Sequence, residues 1–255
     1  MWDSPTEHFD RVKLSLSKKQ LLDKVLVLSG APSKGLALVL DDSNYEDSSN
    51  HIWRSNQAYH FNIKLGEVEE MSSEHLLKLM KSNDYSNLIW ISEKICNGTD
   101  ILFTWVLAHE LRHLHQDSAC HDLSLAGYFL TETLSYIETD RPWMWIMIPT
   151  ELDAELSAWR ITRELFGIDV ADNYVKSQLN NSAQEKSIKL LLKFDPNKTY
   201  DPIKNTIIFL RKYQSKLNIQ QKSNLDNNFI RNFNIDEVCA ELNKNCGKND
   251  RKNIV

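Results

Sequence analysis

Two histidines four residues apart bracket an acid in Ala108-His109-Glu110-Leu111-Arg112-His113. The segment extends an apolar run (Ile101, Leu102, Phe103, Trp105, Val106, Leu107) without Pro or Gly, so residues 101–115 read as a buried helix. Positions four apart share one face of a helix, which lets His109 and His113 converge on a single ion. Two neutral imidazoles suit zinc at about 2.0–2.1 Å and leave room for a third ligand and a water. Glu110 is turned by about 100° from His109. It is badly placed to be a ligand and well placed to take a proton from a water on the metal, as a general base does. A solvated surface helix could carry the same three residues. Here, however, Leu107, Ala108, Leu111 and Leu114 surround them with core side chains, and buried polar groups need partners. A metal supplies them.

The search for a third ligand leads to Pro149-Thr150-Glu151-Leu152-Asp153-Ala154-Glu155, the start of a helix expected to run to Phe166 and stop at Gly167. Thr150 followed by Asp153 reads as a shortened capping box. Glu151, Asp153 and Glu155 all suit the positive end of a helix dipole, which explains them without any metal. Glu151 and Glu155 are also four apart on one face. One can bind the ion while the other accepts the second N–H of a ligating histidine. Spacing alone leaves open which does which.

Asn87-Leu88-Ile89-Trp90-Ile91 ahead of the A-H-E-L-x-H helix, with E-x-x-A at residues 151–154, resembles the ImmA/IrrE-type metallopeptidases. These are compact, gluzincin-like zinc proteins of bacteria and mobile elements. The resemblance spans residues 36–166 and is carried by the two short motifs. It implies zinc held by His109, His113 and Glu151, with Glu110 as the base. Glu155 stands where that family often has Asn, and one turn deeper in the helix it is left to hold a ligating imidazole. The resemblance also implies a protein substrate, a regulatory protein by analogy with family members that act on DNA-binding repressors. The rival expectation is a zinc-fold sensor or regulatory binding protein with weak or no hydrolysis.

The chain has 255 residues, 42% hydrophobic and 25% charged, as an ordinary globular protein does. A formal charge of −5 leaves no basic footprint for nucleic acid. The start, Met1-Trp2-Asp3-Ser4-Pro5, lacks the basic and apolar regions of an export signal, and no apolar run is long enough to span a bilayer. The expectation is a cytoplasmic protein with no membrane partner, whose four cysteines (Cys96, Cys120, Cys239, Cys246) are free thiols. Cys120 and His121 could ligate metal in principle, but adjacent residues rarely aim at one ion.

These side chains need a scaffold. Strands are expected at 35–40, within 51–65 and at 87–91, and helices at 18–28, 73–80 and 123–137. Ser17 and Gln20 are expected to cap the first helix. Tyr128 and Tyr136 could stabilise an oxyanion, though tyrosines at a core edge more often pack. The aromatic run 143–148 is expected in the core, fixing the start of the Glu151 helix. Beyond it, helices are expected at 170–179, 185–192, 203–217 and 235–242, and a frayed tail at 245–255. The fold class expected is α+β: a small, mainly antiparallel sheet packed on the active-site helix. Two domains are expected, a metallopeptidase domain at 1–167 and a helical appendage at 168–255.

Overall fold

The computed structural model describes residues 14–32, 36–41, 58–62, 87–137, 142–181, 185–223 and 228–246. The helix expected at 73–80, most of the segment 51–65 and the tail beyond 246 lie outside these residues. In chain order the described elements are α1 (Leu16–Ser29), β1 (Leu36–Asp41), β2 (Ala58–Asn62), β3 (Asn87–Ser92), α2 (Glu93–Cys96), α3 (Asp100–Ala119) and α4 (His121–Ile137). A 3-10 segment (Pro142–Met147) then leads to α5 (Pro149–Phe166), α6 (Ile168–Ser177), α7 (Glu185–Leu191), α8 (Pro202–Ser223), α9 (Asn228–Asn232) and α10 (Ile235–Glu241).

Helix α1 starts at Ser15, whose extended backbone lets its Oγ accept from the Lys18 N–H at 3.3 Å. The cap is therefore Ser15, two residues before the Ser17/Gln20 pair expected to supply it. The helix ends on Gly30 at φ 63°, a left-handed conformation that carries no Cβ penalty in glycine.

The fold class departs from expectation. The described residues are predominantly helical, not an α+β arrangement built on a mainly antiparallel sheet. Their three strands lie in the order β1-β3-β2, with β3 parallel to β1 and antiparallel to β2. The physical reason is non-local. β1 pairs with β3 at Leu36↔Asn87 rather than forming a hairpin with its sequence neighbour. The central strand is also the most apolar: Leu88, Ile89, Trp90 and Ile91 are all buried, as a strand covered on both faces requires.

The described residues form two compact units. One draws on Met1–His115 with Ile161–Gly167, the other on Gln116–Arg160 with Ile168–Val255. In the first, Lys18 is buried and its ammonium donates to the Cys96 and Gly98 carbonyls while lying 5.7 Å from the centre of the Phe103 ring. It thereby fastens the turn from which α3 departs. In the second, Leu123, Ala126, Phe129 and Leu130 of α4 share one core with Ile203, Leu210 and Leu217 of α8, Ile230 of α9 and Cys239 of α10. Thus α4, expected in the metallopeptidase domain, and α8–α10, expected in the appendage, bury each other. Phe129 is central, fully buried and stacked on Phe233 with ring centres 4.0 Å apart. Phe129→Ala is expected to cost about 3–5 kcal/mol, since lost transfer energy and an unfilled cavity add; urea unfolding checks it, and a loss under about 1 kcal/mol would show the core can collapse around the gap.

Candidate metal centre

Helix α3 is initiated by Thr99, whose hydroxyl accepts from the Leu102 N–H at 3.2 Å and whose carbonyl accepts from the Phe103 N–H. Its Phe103, Leu107, Ala108, Leu111 and Leu114 are fully buried. Glu110 is buried too, while His109 and His113 are partly open to solvent. The helix therefore holds a rigid apolar body and turns a pair of imidazoles to one accessible side.

The two rings meet nearly edge to face, at 77° and 4.7 Å between centres. Their Nε2 atoms face each other at 3.0 Å. Two nitrogens that close need a proton or a cation between them. A metal with bonds of about 2.0–2.1 Å in tetrahedral geometry would set them about 3.3 Å apart. An opening of a few tenths of an ångström is enough, so the pair fits such an ion.

Helix α5 delivers the third group. Pro149 opens the helix where its missing N–H is no loss, and the Leu152 N–H already bonds the Ile148 carbonyl at 2.9 Å. Thr150 thus lies inside the first turn and is not the cap, and the expected capping box is not formed. Its side chain instead lies against Gly127 of α4, where a Cβ would come within 2.6 Å of the Thr150 Oγ1. Asp153, the other half of that box, is buried and accepts from the Gln116 side chain at 2.8 Å. Tertiary partners have taken both.

The ligand atoms of His109, His113 and Glu151 lie within 4.8 Å of one another, the one such group of three among the described residues. Two imidazoles and one carboxylate form a donor set suited to zinc, with one position left for substrate or solvent. Glu155 is not part of this group. Its charge instead acts on Tyr174 of α6, whose phenol is pushed up to about 12 by burial first and by Glu155 second.

The remaining candidates have partners of their own. Tyr128 packs its ring on Phe229 at 5.2 Å. His60 meets Asn87 across the β2–β3 pair at 3.0 Å. His121 pairs its Nδ1 with the buried Asp117 at 2.8 Å, a use that holds the α3–α4 corner. Cys120 is disulfide-bonded, against the expectation of free thiols, while Cys96 and Cys239 are in the thiol form expected. In the aromatic run, Ile146 and Ile148 are buried as expected but Trp145 is exposed. Gln116 and Gly127 are the residues near this centre that the sequence reading missed. Only a glycine inside an expected helix, in Ala126-Gly127-Tyr128, hinted at the close approach.

No helix among the described residues is long and apolar enough to cross a membrane. The resemblance to the ImmA/IrrE type rests on the two motifs. Comparison with protein-family models, with curated proteins and with solved structures finds no match in any of the three.

Proposed function

We propose that the protein is a zinc-dependent metallopeptidase acting on a protein substrate, a regulatory protein by the resemblance above. The observation that carries the reading is the convergence of His109, His113 and Glu151 beside a buried acid, Glu110, on the same helix as the two histidines. Zinc held there would supply a Lewis acid to the scissile carbonyl and lower the pKa of a coordinated water to about 7. His109 and His113 serve as neutral imidazoles and Glu151 as a carboxylate, which together leave one charge on the ion for chemistry. Glu110 accepts a proton from the attacking water as its oxygen adds to the carbonyl carbon. It returns that proton to the amine nitrogen as the C–N bond breaks. The water ends divided between a carboxyl and an amine, and Glu110 ends ionised, ready for another cycle.

The purified protein is expected to carry about one zinc per chain. A chelator should remove both the metal and the hydrolysis, and added zinc should restore them. Substrates are found by comparing new protein termini in cells expressing the wild type with those expressing Glu110→Gln. An empty site in the wild type sinks the metal reading. A full site with no new termini favours a zinc-fold sensor.

A further inference from the structure

Helix α3 continues past His113, and three residues on it places Gln116, which is 3% exposed. The Gln116 Nε2 donates twice: to the Thr150 carbonyl at 3.0 Å and to the Asp153 Oδ2 at 2.8 Å. Those acceptors lie on either side of Glu151 in sequence. Neither bond is needed to satisfy the α5 backbone, because the Thr150 carbonyl belongs to the helical ladder and already faces the N–H four residues on. A buried amide and a buried carboxylate are costly to desolvate, and they are tolerated where they bond each other well. The Gly127–Thr150 approach closes on the same turn from α4.

We propose that Gln116 is a positioning residue for the metal centre: by gripping the turn on both sides of Glu151, it sets where that carboxylate stands. The inference rests on the metal reading above. A purely structural glutamine would lower stability when replaced and leave the metal untouched. A positioning glutamine should weaken metal binding beyond any change in folding.

The test uses the full chain and two probes, zinc titrated against a chromophoric chelator and cobalt(II) followed by its visible absorption. Gln116→Met keeps the volume and removes both hydrogen bonds. It should weaken zinc about 10–100-fold, as changes behind metal ligands usually do, and should alter the cobalt spectrum. Thr133→Ala is the control, because Thr133 is buried and bonds only its own helix, at the Phe129 and Leu130 carbonyls. At matched unfolding midpoints it should bind zinc as the wild type does. If Gln116→Met does not fold, Gln116→Asn, one methylene shorter, is measured in the same way. Wild-type zinc affinity and an unchanged cobalt spectrum in the folded variant overturn the proposal while leaving the metal reading intact. A wild type that takes up neither metal overturns both.

Discussion

Glu110→Gln is expected to keep one zinc per chain and to hydrolyse its substrate about 10²–10⁴-fold more slowly than the wild type, the range general base catalysis commonly contributes. The substitution is close to isosteric. It matters that Glu110 is buried, because an isostere leaves the packing of α3 intact where Glu110→Ala would open a void. The amide keeps an acceptor oxygen but cannot hold the proton removed from water. His109 and His113 are untouched, so the metal should remain. Substrate binding should remain too, and the variant should trap its substrate in a pull-down. Single-turnover cleavage of a confirmed substrate measures the effect. A wild-type rate would take the base role away from Glu110.

What was legible in the sequence was what local periodicity dictates. His109 and His113 four apart on an unbroken apolar run could only share a helix face, and α3 places their nitrogens 3.0 Å apart. The third ligand was not legible in that way, since spacing left Glu151 and Glu155 equally eligible and the family resemblance alone favoured Glu151, which groups with the two histidines. The sheet was not, because its decisive pairing joins Leu36 to Asn87 and no local pattern distinguishes a parallel partner from an antiparallel one. Thr150 and Asp153 carry a capping pattern, yet Gly127 and Gln116 claim them from other elements. Gln116 looks like any polar residue on a helix until its two acceptors are seen. The amphipathic stretch at 203–217 announced a buried face, which α8 has, but nothing in it named α4 as the surface it covers. The expectation of free thiols rested on the absence of an export signal and of C-x-x-C spacing, neither of which bears on Cys120, which is disulfide-bonded.

Glu151→Ala and Glu155→Ala are expected to separate sharply, although both remove one acid from the same helix face. Glu151 stands in the first turn of α5, where the helix dipole favours a carboxylate and where Gln116 bonds the Thr150 carbonyl. It is the acid that lies within 4.8 Å of the histidine nitrogens. Its loss leaves two imidazoles, a set too small for a tight zinc site, and zinc binding should fall below detection at micromolar protein. Glu155 lies one turn deeper, close enough to Tyr174 for its charge to bear on that phenol. Its proposed part is to accept the outer N–H of a ligating imidazole and fix the tautomer, so Glu155→Ala should weaken zinc about 10–100-fold and leave a measurable site. Folding should not separate them. Removing an acid from the first turn costs a few tenths to about 1 kcal/mol of dipole stabilisation, so both variants should still fold. Chelator competition on the two variants side by side, with circular dichroism to confirm the fold, decides between them. Should Glu155→Ala empty the site while Glu151→Ala still binds zinc tightly, the two glutamates exchange roles, and Gln116 then grips a turn that holds no ligand.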